Sequence, residues 1–150
     1  MTGTPSTVEQ RAHASDTVAV IQLATELVGR IWSHFTARAA ELDLSVAEAK
    51  ALLSLELDQP LPMRALAARV HANPSNVTVI VARLEARGLL TRQTSADRRV
   101  RGVRLTQAGL DLRTRLDERL QTEHPAVARL SDAERGEFLR LLRRLSSPGI

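Results

Sequence analysis

Asn73-Pro74, followed by Ser75, Asn76, Thr78, Val79 and Arg83, is a set of residues whose chemistry suits a polyanion read at close range. Asn is a good helix N-cap and Pro fits the first helical position, so the set lies on one helix, which runs to about Arg87 and stops at Gly88. At about 100° per residue, Val77, Ile80, Val81 and Leu84 share one face. Ser75, Val79, Ala82 and Ala86 fall opposite, flanked by Asn76, Thr78 and Arg83. Exposed helices usually carry long charged side chains opposite their core. Short uncharged ones let a helix approach base edges in a duplex major groove, where Ser, Asn and Thr offer hydrogen bonds and Val79 an apolar contact for a thymine methyl. A helix buried on two sides would carry the same small residues, so this face alone leaves both readings open.

A second set follows at once. Leu89 to Gln93 and Val100 to Leu105 alternate apolar residues with Arg or Thr, the pattern of two short strands. The loop between them is Thr94-Ser95-Ala96-Asp97-Arg98-Arg99. Arg98, Arg99 and Arg101 therefore crowd the tip of a hairpin, with Arg92 and Arg104 lower on the strands. An arginine entering a minor groove gains from the negative potential there, and arginines on the strands reach phosphates, which position a protein without reading sequence.

The charge follows the same segment. The chain of 150 residues has 21 basic and 17 acidic side chains, a formal net charge of +4. Residues 83–115 hold 9 arginines against 3 acids, +6, whereas 1–82 hold 6 against 8, −2, and 116–150 hold 6 against 6, zero. One short basic stretch raises the case for a polyanion partner. Cysteine is absent, which removes disulfides, thiolate metal sites and thiol redox sensing. Trp32, Phe35 and Phe138 are the aromatics, too few for a base-stacking platform. No apolar run approaches the ~18 residues of a membrane span, and the polar start lacks a signal-peptide core. A cytoplasmic protein with no membrane partner is expected.

The remaining elements must position these two sets. Residues 1–14 read as a flexible lead-in and 148–150 as a tail. From Ser15 to about Ala40, Val20, Ala24, Leu27, Ile31 and Phe35 recur at helical steps, with Val28 and Trp32 beside them. That stripe is wide for a lone surface helix. Ser45-Val46-Ala47-Glu48 is a capping box opening a helix to about Leu57, stopped by Pro60 and Pro62. A short helix spans Met63 to Val70, and His71-Ala72 forms the turn into the Asn73 helix. Thr106 caps a helix over about Gln107 to Glu123, with Leu112, Leu116 and Leu120 in a row. Ser131-Asp132-Ala133-Glu134 is a second capping box, leading a last helix with Phe138, Leu141, Leu142 and Leu145. The fold class is mainly α with a β wing: a short helix, a tight turn, a groove-compatible helix and an arginine-tipped hairpin make a winged helix-turn-helix.

In this order the sequence resembles the MarR family of bacterial transcriptional regulators. The resemblance rests on Asn73 to Thr78, Arg83-Leu84-Glu85-Ala86-Arg87-Gly88-Leu89-Leu90, Asp97-Arg98-Arg99, and Val103-Arg104-Leu105-Thr106 with Gly109. Leu44-Ser45 and the Leu52 to Leu55 segment match the family's second helix. It covers about residues 15–147 as one unit. The resemblance implies a homodimer on palindromic double-stranded DNA, with 15–40 and 107–147 as dimerisation helices and 45–106 as the DNA-binding lobe. It implies that Asp97 steadies the wing by pairing with a nearby Arg and that Arg99 enters the minor groove, Arg98 being the intervening residue. Val79 departs from the family, which often has a polar residue or Arg there.

The resemblance also implies a repressor released by a small aromatic ligand bound between lobes; Trp32, His34, Phe35 and Leu52 are the residues that would line such a cleft. No cofactor, metal site or enzymatic activity is expected. His13, His34, His71 and His124 are scattered, no two are spaced as metal ligands, and no glycine-rich phosphate loop occurs. The other function class that fits the basic wing is a sequence-tolerant architectural DNA-binding protein.

Overall fold

The computed structural model describes residues 7–94, 101–121 and 124–147. The elements run α1 (Thr7–Ala40), α2 (Val46–Leu53), β1 (Leu61–Pro62), α3 (Met63–Val70), α4 (Pro74–Ala86), β2 (Leu90–Thr94), β3 (Arg101–Leu105), α5 (Gln107–Gln121) and α6 (Asp132–Ser146). The strands form one antiparallel sheet in the order β1-β3-β2. Leu90 faces Leu105, Arg92 faces Val103 and Thr94 faces Arg101. Among the described residues no helix is long and apolar enough to cross a membrane.

Three elements differ from the sequence expectation. Helix α1 begins at Thr7, inside the stretch read as a flexible lead-in. Residues 7–14 lack the apolar period but contain no Gly or Pro and are rich in good helix formers, so propensity extends the helix where patterning gives no signal. Helix α2 stops at Leu53 rather than Leu57. The Ser54 hydroxyl and N–H both take the Lys50 carbonyl, at 2.7 and 3.1 Å, and Leu55 turns away into the core, fully buried. Strand β1 was read only as a helix stop. It pairs Leu61 with Val103 and Pro62 with Gly102 at the sheet edge, where a residue without an N–H is tolerated.

The chain divides into two compact units, Met1–Ser33 with His124–Ile150, and His34–Glu123. The expected division gave 15–40 and 107–147 to the dimerisation helices. Within one chain the end of α1 and all of α5 lie in the winged unit, where Ala39, Leu42, Leu44 and Leu116 are buried in the core. That core also holds Leu52, Leu55, Leu66, Val77, Val81, Leu84, Val103 and Leu105, each essentially inaccessible to water. Arg87, after the end of α4, donates to the carbonyls of Asp43 at 2.8 Å and Leu42 at 3.5 Å, tying α4 to the turn before α2. The start of α5 is fastened to the approach to β2: Thr106 Oγ1 donates to the Gly88 carbonyl at 2.7 Å and accepts from the Gly109 N–H at 3.1 Å.

The other unit buries far less. Val18, Val20, Ile21, Leu23, Val28, Ile31 and Trp32 on α1 are exposed, as are Leu139, Leu141, Leu142 and Leu145 on α6. Both predicted capping boxes form. At α6, the Ser131 hydroxyl and N–H hold the Glu134 carboxyl below the usual carboxylate range.

Candidate nucleic-acid interface

Helix α4 is set by three local devices. Pro74 starts it, and the Asn73 side chain accepts from the Asn76 N–H at 3.0 Å. At the other end Gly88 takes a positive φ of 70°, the left-handed conformation that ends a helix at low cost. The turn before α4 is held by His71, which closes α3 in the left-handed region with φ 54°. Val77, Ile80, Val81 and Leu84 are buried, as their spacing predicts. The opposite face is fully presented: Ser75, Asn76, Thr78, Val79, Ala82, Arg83 and Ala86 are all exposed, which answers the question of burial on two sides.

The polar groups on that face are partly committed. Ser75 Oγ donates to Asn73 Oδ1 at 2.9 Å, and Thr78 Oγ1 donates to the Pro74 carbonyl at 3.0 Å. Both hydroxyls therefore present lone pairs outward and favour donors on a ligand. The Asn76 side-chain amide and the Arg83 guanidinium make no hydrogen bond among the described residues. Val79 stands between them, about half exposed.

The hairpin brings Arg92 beside α4. Its Nε donates to Glu85 Oε2 at 3.0 Å, leaving the two terminal nitrogens of the fork for a further acceptor. Glu85 was not among the expected site residues; seven positions before Arg92, it meets it because Gly88 folds β2 back along the helix. Arg104 points from the other face of β3 opposite Thr91, and its Nε is shielded from water without a hydrogen-bond partner. Arg101 opens β3 and pairs with Thr94. Asp97, Arg98 and Arg99 lie outside the described residues.

A cavity of about 760 Å³ opens where α3, the start of α4 and the ribbon meet, with Met63, Arg64, Thr78 and Arg92 in its wall. None of the four residues expected to line a ligand cleft borders it. Trp32 is about half exposed in the first unit; His34 and Phe35 are half-buried in the second; Leu52 is completely buried in the core. Among the described residues no three His, Asp or Glu side chains are grouped to hold a metal ion.

The MarR family profile matches residues 44–100, from the start of α2 through the hairpin loop. A protein from Thauera aromatica described as a transcriptional regulatory protein for the hcr operon is 37% identical over 87 residues, 57% of this chain and 52% of that protein. The chain thus spans about half the length of the curated relative it matches. Escherichia coli MarR without ligand superposes with a TM-score of 0.72 at 18% identity, over 83% of this chain and 95% of the other. A Mycobacterium tuberculosis MarR family protein crystallised with DNA gives 0.72 at 23% identity, over 84% and 96%. The same mycobacterial protein with salicylic acid gives 0.67 at 24%, over 83% and 93%. The fold is that of these winged helix proteins, and the stretch similar to the MarR family lies across the very elements that build the α4 face.

Proposed function

We propose that this protein is a sequence-specific double-stranded DNA-binding transcriptional regulator, acting in the cytoplasm as a homodimer on a palindromic site. The observation that carries this is the outer face of α4: fully exposed, short-chained, uncharged at its centre and bordered by arginines. Exposed helices usually carry long charged side chains opposite their core, and the short-chained pattern suits a major groove. In this reading Asn76, Arg83, Ser75, Thr78 and Val79 meet base edges or nearby phosphates, Arg92 meets phosphate, and Arg98, Arg99 and Arg101 serve the minor groove, with Asp97 bracing the wing. Repression as the sign of regulation rests on the family. Release by a small aromatic acid is suggested by the mycobacterial relative, crystallised once with DNA and once with salicylic acid; Trp32, His34, Phe35 and Leu52 are the residues we assign to that response.

A sequence-tolerant architectural role is the competing reading. It is favoured by one observation, that the Ser75 and Thr78 hydroxyls donate to their own helix and Val79 offers no hydrogen bond, so few groups read bases directly. Fluorescence anisotropy against short duplexes from upstream of the protein's own gene, with random duplex as competitor, separates the two. A regulator is expected to prefer its site by several kcal/mol, about 4 or more; no preference for any upstream duplex favours the architectural role. In the same titration Arg99→Ala is expected to lose about 1–3 kcal/mol and some of the salt slope, and Asn76→Ala to weaken the cognate site more than random duplex. Equal losses for Asn76→Ala would assign it to phosphate, and an unchanged salt series for Arg99→Ala would remove the wing from the interface.

A further inference from the structure

Most arginines of the winged unit whose side chains are described are spoken for. Arg38 and Arg119 share Glu41, Arg69 donates to the Ser54 carbonyl, Arg87 to Asp43 and Leu42, Arg92 to Glu85, and Arg113 to the Leu55 carbonyl. Arg64, in the first turn of α3, is exposed and makes no hydrogen bond or ion pair among the described residues. With Leu66, Ala67 and Val70 buried, the spacing of α3 sets Arg64 and Arg69 on opposite flanks of the helix. Arg69 turns back to the end of α2, while Arg64 borders the cavity whose wall also includes Pro74 and Thr78 of α4 and Arg92 of β2.

The position has a consequence for a helix seated in a major groove. Such a helix lies between two phosphate strands, and the helix before it in a helix-turn-helix crosses one of them. Around α4, Asn76 and Arg83 project along one flank, and Pro74, Thr78 and Glu85 along the other. Arg83 serves the first flank. On the second, Arg92 shares its charge with Glu85, and among the described residues Arg64 is a cation with no internal partner. We infer that Arg64 is a DNA-backbone contact: it takes a phosphate of the strand opposite the one that Arg83 meets and so fixes the depth and tilt of α4. The inference rests on the DNA-binding reading above and adds to it a residue outside the recognition helix and the wing.

A phosphate contact carries charge but no sequence information, and that defines the test. Arg64→Gln, Arg64→Lys and Arg115→Gln are compared with the wild-type chain by anisotropy over a salt series, on the preferred duplex and on random duplex. Arg115, on α5, is also exposed and without a partner among the described residues, so its loss removes the same net charge from the same unit. Arg64→Gln is expected to lower the slope of log K against log salt by about 0.9 for each subunit engaged. It should weaken both duplexes by the same factor and leave the melting temperature unchanged. Arg64→Lys should stay close to wild type, because an ammonium serves a phosphate as a point charge, and Arg115→Gln should leave the slope alone. Wild-type binding with an unchanged slope for Arg64→Gln, or an equal fall for Arg115→Gln, overturns the assignment of Arg64 and leaves the DNA-binding reading standing. A wild-type chain that binds no duplex at low salt overturns both.

Discussion

Asn73 shapes the outer face of α4 from the cap position. Its carboxamide oxygen accepts from the Asn76 N–H and from the Ser75 hydroxyl, so one atom caps the helix and orients Ser75, the first of the residues proposed to meet DNA. Asn73→Ala is expected to cost about 1 kcal/mol of stability, read as a lowered denaturation midpoint, and to reduce affinity for the preferred duplex beyond that of random DNA. This much is legible in the sequence, because a cap and the amides it serves are neighbours in the chain. Glu85 and Arg92 are not legible in that way. Their pairing needs the left-handed Gly88 to reverse the chain, and no spacing rule joins a helix residue to a strand residue across such a turn. The internal partners of Arg69 and Arg87 lie 15 and 44 residues away, so the sequence could not separate arginines consumed by the fold from those left for a ligand.

Among the elements, α3, α4 and the two hairpin strands follow their sequence patterns to within about a residue, and α4 is marked at both ends, by Asn73 and Gly88. Strand β1 does not, because two residues carry no periodicity; it exists only through its pairing with β3. Helix α5 illustrates a tertiary constraint that a lone glycine carries. A Cβ added to Gly109 would stand 2.0 Å from the Leu89 carbonyl oxygen and 3.2 Å from a Leu105 methyl. The glycine is there for close approach rather than for an unusual φ. Gly109→Ala is expected to destabilise the folded chain by about 3 kcal/mol through displacement of the start of α5 from Leu89, read as a fall in urea midpoint with little change in slope.

At the scale of the whole molecule, buried and exposed apolar surface are divided between the units. The winged unit buries its leucines, whereas α1 and α6 leave Ile21 and Leu145 exposed at 63% and 78%. The sequence signalled this through an apolar stripe too wide for one helix, but not which leucine rows a core would take: Leu116 of α5 is buried, whereas Leu141, Leu142 and Leu145 of α6 are exposed. A second copy of the chain is the proposed cover. Ile21→Glu is expected to turn a dimer into a monomer in sedimentation velocity while the winged unit keeps its melting transition; an unchanged sedimentation coefficient would exclude this face from the dimer. The division extends to the face proposed for DNA, where the centre of α4 is uncharged and the cations stand at its borders. Contacts at the borders exchange with dissolved ions, and contacts at the centre do not. Rising ionic strength would therefore drain affinity from every sequence alike through the borders while leaving the discrimination made by Asn76 and Val79 largely intact. A cell whose internal salt fluctuates would then change how much of this protein is on DNA, and much less which sites it chooses.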